Sequence, residues 1–314
     1  TDTGRRCFPR KRTCGKIKVS EVFSLNICFV QIRKEKDMKK NANFLMSPTV
    51  DYCFKELLAY PEIRRGFVAA VLNKAPEEIK ETILMPTILS KDSEDGKYGI
   101  LDVRVKLWNG SQMDLEMQVA PFAFWDKRII FYLSKMYTEQ IKEGESYENL
   151  KQCAHVSILN FNLFSEDQEC FREITFCDLK TKQKYTDLLD IYVLELKKLP
   201  PEKKDEPLII KWMRFLSAEK KEDFEKMAGE DTYINEAYEV LQKLSADERK
   251  KLEYEARQKA IRDYNSQMSS SFKNGEKRVN NLYEKLMNDG RMEELKKAIS
   301  DESYREKLYK EYGL

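Results

Sequence analysis

Two runs of alternating polarity, one on each side of Trp108-Asn109-Gly110, constrain the fold of this chain more tightly than any other feature. In the first, Leu101, Val103, Val105 and Leu107 are separated by Asp102, Arg104 and Lys106. In the second, Met113, Leu115, Met117 and Val119 alternate with Gln112, Asp114, Glu116 and Gln118. Successive side chains of a strand point to opposite faces, so each run predicts a strand with one apolar face and one wet, polar face. Directly opposed residues of an antiparallel pair share a face, which demands a loop with an odd number of residues. A three-residue loop with Gly110 in the left-handed conformation meets the demand. The register then sets Leu107 against Ser111 and Asp102 against Glu116.

That register carries chemistry. Opposed residues have Cβ atoms about 5 Å apart, and two carboxylates so close repel unless positive charge lies between them. A divalent cation with oxygen ligands removes the repulsion, and magnesium takes one or two protein carboxylates while keeping water and substrate phosphate in its shell. Such an ion polarises a phosphodiester and activates water. The competing reading is that Asp102 and Glu116 decorate a solvated sheet face, paired with Arg104 and Lys106. Spacing alone leaves both open.

The flanking sequence predicts the setting. A capped helix should begin near Ser47-Pro48-Thr49 and bury Phe54, Leu57 and Leu58, with a second helix over residues 61–73. Residues 83–90 look extended, with Pro86 limiting them to an edge or an interrupted strand. After the hairpin, Arg128 and Tyr132 lie four apart on one helix face, beside an apolar stripe of Ile130, Leu133, Tyr137 and Ile141. Phe122, Phe124 and Trp125 are expected to pack at the start of that helix rather than to offer a base-stacking platform. Strands at 156–164, 171–179 and 191–196 complete an α/β core with a mixed sheet flanked by helices.

From Pro200 the composition turns to Lys/Glu-rich helix. Leu208, Ile209, Trp212, Phe215 and Leu216 should dock on the core, and Asn274-Gly275 should break the helix that runs through 252–259. Short closing helices are expected at 279–287 and 292–299. Three regions result: a basic leader 1–45 outside the working fold, an α/β domain 46–199, and a charged helical region 200–314. The mixed charge signs of the last region favour a homodimer through the C-terminal helices over a DNA-positioning arm.

Composition excludes several function classes. No run of about 18 apolar residues is present, so no membrane span is expected. The seven cysteines are an odd number without a Cys-x-x-Cys pair, against a disulfide framework or a zinc site and in favour of a reducing cytoplasm. His155 is the only histidine, which disfavours Ser-His and multi-histidine chemistry. Neither a phosphate-cradling glycine loop nor a dinucleotide fingerprint occurs. Of the formal net charge of +2, residues 1–40 carry +8, so the remainder carries −6. Any phosphate-binding groove must therefore be local. The apolar stretch 22–32 is interrupted by Ser24, Asn26 and Gln31 and followed by Arg33-Lys34-Glu35-Lys36, unlike a cleaved signal peptide.

At these residues the chain resembles the PD-(D/E)XK nuclease superfamily and, more narrowly, its Rpn-type recombination-promoting nucleases and transposases. The likeness rests on Asp51-Tyr52-Cys53-Phe54-Lys55, Leu101-Asp102-Val103, Leu115-Glu116-Met117-Gln118, Lys127-Arg128 with Phe131-Tyr132, Gly144-Glu145-Ser146-Tyr147 and Leu194-Glu195-Leu196-Lys197, in that order. It covers residues 46–199, and the tail more loosely. It implies a PD-(D/E)XK restriction-endonuclease-like core with a C-terminal helical extension, and a magnesium- or manganese-dependent DNA endonuclease linked to recombination or mobile-element transfer.

The resemblance also implies roles. Asp102 and Glu116 would be metal ligands, with the Met117 carbonyl as a third. Asp51 would complete the metal shell; its alternative role is a helix N-terminal acid favoured by the dipole. Arg128 would grip a phosphate, with Tyr132 and Lys55 beside it on the DNA side; the alternative for Arg128 is a salt bridge to Glu139 or Glu116. Gln118 stands where the superfamily has Lys, and Gln supplies neither charge nor an exchangeable proton. It can still orient the attacking water, and Gln is usual in the narrower group. Two rivals remain: a non-catalytic DNA-binding or scaffold protein with the nuclease fold, and a helical interaction protein working through residues 200–314.

Overall fold

The computed structural model describes residues 44–89, 99–121 and 123–314. Apart from Phe44 and Leu45, the basic leader lies outside the described residues, as does Phe122. Met46–Leu314 form one compact unit.

The hairpin forms in the register that its polarity demands. Strand β4 (Val103–Leu107) pairs antiparallel with β5 (Gln112–Gln118), setting Val103 opposite Leu115 and Lys106 opposite Gln112. Gly110 turns the chain at φ +88°, and Leu107 N donates to Ser111 O at 2.8 Å. Strand β1 (Thr82–Met85) lies on the outer edge against β4, and Pro86, which has no N–H for a ladder, ends it. The chain resumes as β2 (Ile88–Leu89), which pairs with β3 (Gly99–Ile100) in a separate two-stranded sheet.

The run 100–107 is therefore not one strand. Leu101 N donates to Thr87 O at 2.9 Å instead of joining the β4 ladder, and the Leu101 side chain is buried. This break leaves Asp102 at the end of the sheet, just ahead of β4.

On the other side of β5, β6 (Cys153–Leu159) and β8 (Leu189–Glu195) add in parallel, and β7 (Phe171–Thr175) closes the far edge antiparallel to β8. The order β1-β4-β5-β6-β8-β7 is a mixed sheet. Helix α1 (Asp51–Leu58) lies against β5 and α2 (Pro61–Val71) against β1. Helix α3 (Trp125–Thr138) covers β6 on the face that holds Cys153 and Leu159.

Two local expectations are corrected. Ser47 and Thr49 do not cap α1; their hydroxyls bond each other at 2.8 Å, and Val50 occupies the cap position. The inward stripe of α3 is Trp125, Ile129, Tyr132, Leu133 and Met136, while Ile130 is exposed. One residue is about 100° of helix rotation, enough to turn Ile130 away from the sheet.

Beyond the sheet the chain is helical: α4 (Leu208–Ser217), α5 (Lys221–Ala228), α6 (Thr232–Ala246), α7 (Glu248–Asn288), α8 (Met292–Ser300) and α9 (Glu302–Tyr312). Phe54, Phe67, Trp212, Phe215 and Phe224 meet edge to face in succession, with centroids 5.3–6.0 Å apart. This aromatic ladder joins α1, α2, α4 and α5 into one core. Helix α7 runs 41 residues straight through Gly275. A lone glycine costs about 1 kcal/mol in a helix, too little to interrupt one whose neighbours continue it. The end of α7 packs with α8 and α9 around Leu282, Leu286, Leu295 and Leu308. No helix among the described residues is long and apolar enough to cross a membrane.

Candidate active site

The polar face of the hairpin is not wet. Arg104, Gln112, Asp114 and Glu116 are all buried, because α3 closes over them and brings partners of its own. Arg104 Nε and its Nη2 donate to Gln112 Oε1 at 3.0 and 2.8 Å, and Nη1 reaches Glu139 at 3.2 Å. Parallel pairing sets His155 beside Asp114 and Ser157 beside Glu116. His155 Nδ1 lies 2.8 Å from Asp114 Oδ2, and Nε2 lies 2.9 Å from Ser157 Oγ. Alternation alone cannot distinguish a face that meets water from one that meets a helix carrying complementary groups.

Extending the ladder by one pair sets Asp102 opposite Glu116, the pairing that the hairpin register predicts. Asp102 Oδ2 accepts from Met117 N at 3.3 Å, and Oδ1 pairs with Lys55 Nζ at 2.9 Å. In an extended strand a residue's N–H and C=O point to the same edge, so the Met117 carbonyl also faces the Asp102 side. Glu116 is 1 % exposed and receives Arg128 Nη2 on Oε2 at 3.3 Å. Its Oε1 is buried with no hydrogen-bond partner among the described residues. Neither acid pairs with Arg104, so the reading of two acids on a solvated face does not hold.

Burial, with the neighbouring Asp114 next in weight, pushes the Glu116 carboxyl up to about 7. Burial likewise lifts Asp114 well above the usual carboxylate range and depresses His155 to about 4. This is a strongly desolvated floor, where an unpaired charge is costly and a bound cation is strongly attracted.

Above the floor lies a cleft of about 780 Å³ lined by Asp51, Lys55, Asp102, Met117, Gln118, Arg128 and Tyr132, among others. Arg128 is held between two rings, its guanidinium 5.8 Å from the Trp125 centroid and 5.1 Å from that of Tyr132. It thus makes the salt bridge to Glu116 and faces the cleft as well. Asp51 is the first residue of α1, and Arg257 holds its carboxylate, with Nε 2.8 Å from both oxygens and Nη2 2.6 Å from Oδ2. Among the described residues no three His, Cys, Asp or Glu side chains converge as a metal site. The set that fits a cation is two carboxylates, a carbonyl and open cleft, the kind of shell that magnesium completes with water.

Two features of the cleft were not legible beforehand. Arg257 and Ile261 reach it from α7, more than a hundred residues from the hairpin. The available signal was helical spacing, since Tyr254, Arg257 and Ile261 share a face and Tyr254 is buried, accepting from Ser47 N at 2.9 Å. Phe124 is not packed at the start of α3 but stands 69 % exposed at the cleft; Trp125 takes the buried place.

Neither a curated relative nor a solved structure matches the chain. A family model does: that of the PD-(D/E)XK nuclease family transposases, over residues 48–271, more than two thirds of the chain. The match begins before the helix that carries Asp51 and ends beyond Arg257 and Ile261, so it takes in the whole cleft. The chain belongs to the PD-(D/E)XK nuclease family transposases, and its mixed sheet flanked by helices has that family's fold.

Proposed function

We propose that this protein is a DNA endonuclease, dependent on magnesium or manganese, that hydrolyses phosphodiester bonds in recombination or mobile-element transfer. One observation carries the reading: Asp102 lines the cleft, and Glu116, buried with one unpartnered oxygen, stands opposite it one pair beyond the hairpin ladder. Asp102, Glu116 and the Met117 carbonyl would hold the ion. When bound it neutralises the two carboxylates and supplies electrostatic activation of the phosphodiester.

The chain's own residues do the rest. Arg128, pre-oriented by its two flanking rings, presents a planar donor fork to a phosphate oxygen. Lys55, 40 % exposed, exchanges its carboxylate partner for substrate phosphate. Gln118 accepts from and donates to the attacking water and orients it. Asp51, fixed by Arg257, completes the outer shell, and Tyr132 holds Arg128 in place. The free thiols of Cys53, Cys153, Cys170 and Cys177 support a reducing, cytoplasmic setting. Tyr264, Met268 and Phe272, exposed at four-residue spacing on α7, support homodimerisation through the C-terminal helices; Met268→Glu should then shift a dimer to monomer in sedimentation.

The test is plasmid nicking with magnesium, manganese, calcium or chelator, using the unaltered chain, Asp102→Ala and Glu116→Ala. Metal-dependent cutting should fall at least about 100-fold in either variant. Equal cutting in both variants rejects the assignment. The alternative, DNA binding without cleavage, predicts an intact fold that binds DNA but cuts with no metal.

A further inference from the structure

Phe124 combines three properties that packing does not explain. It is the residue just before α3 and adopts the left-handed conformation at φ +64°, which a side chain with a Cβ disfavours. Its ring is 69 % exposed, so no core burial offsets that strain. It also lines the cleft, with Lys127 Nζ 5.0 Å from the ring centroid. Strain kept at a residue that contributes nothing to the core points to a task outside the fold.

The cleft explains the task. The cations Lys55, Arg128 and Arg257 line the cleft, paired in turn with Asp102, Glu116 and Asp51, and beside them stand two exposed apolar side chains, Phe124 and Ile100, the latter 62 % exposed. Cations beside exposed apolar side chains match a nucleotide, anionic at the phosphate and flat and apolar on the face of the base. A cleft of about 780 Å³ has room for one. In a duplex the faces of the bases are covered by their neighbours, so stacking a ring on a base costs unstacking or extrusion there and costs least where the base is already unpaired.

We propose that Phe124 stacks on an unpaired nucleobase adjoining the phosphate bound in the cleft, making single-stranded DNA, or duplex with unpaired or extrudable nucleotides, the substrate class. This rests on the nuclease reading of the same cleft. Lys127, over the same ring, is placed to meet the next phosphate along the strand.

The test uses the full chain in chelator, so that binding is read without turnover. Fluorescence anisotropy compares labelled 20-mers that are single-stranded, fully paired, or paired with a two-nucleotide bulge, for the unaltered chain, Phe124→Gly and Phe124→Trp. Glycine adopts this backbone conformation freely, so Phe124→Gly should fold. The unaltered chain should prefer the single-stranded and bulged strands, Phe124→Gly should lose about tenfold of that preference, and Phe124→Trp should keep it. An unchanged preference in Phe124→Gly overturns the inference, and if that protein still nicks plasmid the nuclease reading stands. An unaltered chain that binds none of the three strands overturns the inference, while the nuclease reading stands or falls on plasmid nicking with metal.

Discussion

Glu116 sits where a carboxylate is least comfortable, and that discomfort can be measured. Its pKa of about 7, raised first by burial, exceeds that of an unfolded glutamate, so the folded chain binds the extra proton. The group therefore favours folding fully below about pH 4.5, and the benefit drains away as pH rises to about 7. Above that the charged form is a net burden of about 1–3 kcal/mol. Glu116→Gln should accordingly raise the stability of metal-free protein at pH 8 by that amount, with little gain at pH 5, while abolishing cleavage; urea melts at the two pH values check it. Metal affinity should rise with pH up to about 7, because the proton must leave first. The placement of Asp102 opposite Glu116 was legible from alternation and loop parity. The depth of burial was not, because it is created by α3.

At the scale of elements, close helix packing overrides local propensity. Gly66 lies inside α2, where alanine would ordinarily stabilise by about 1 kcal/mol. A Cβ there would lie 2.6 Å from Tyr233 Cβ on α6, an atom tied to the backbone that cannot swing aside. Overpacking of this kind costs about 1–3 kcal/mol, so the clash wins. Gly66→Ala should lower the midpoint of thermal unfolding; a rise would mean that α6 yields freely. Element boundaries followed the same logic. Pro86 ended β1 as its chemistry requires, but Leu101 left the strand for a tertiary bond to Thr87 O, and α7 continued through Gly275 with ease.

For the whole molecule, the sheet and the helices beyond residue 200 share one interior. Phe67 of α2 meets Trp212 of α4 at 5.6 Å, and Arg257 of α7 binds Asp51 of α1. Cutting the chain after residue 199 would expose the apolar faces of α1 and α2 and remove one wall of the cleft. That truncated chain should show no cooperative thermal transition by circular dichroism and no cleavage, whereas the full chain melts in one step. A stable, active 1–199 fragment would show that the later helices are dispensable.

By itself the sequence determined the hairpin, its register and the facing pair of acids, because strand periodicity and loop parity are local rules that a few residues satisfy or break. It also carried the ordered motifs by which the family is recognised. Only the tertiary structure decided that the polar face is buried, that Arg128 is clamped between two rings, that Arg257 reaches Asp51, and that Phe124 stands open at the cleft. Each of these depends on which helix covers which surface. That choice is made by the shape and packing of segments far apart in the chain, and no local pattern encodes it.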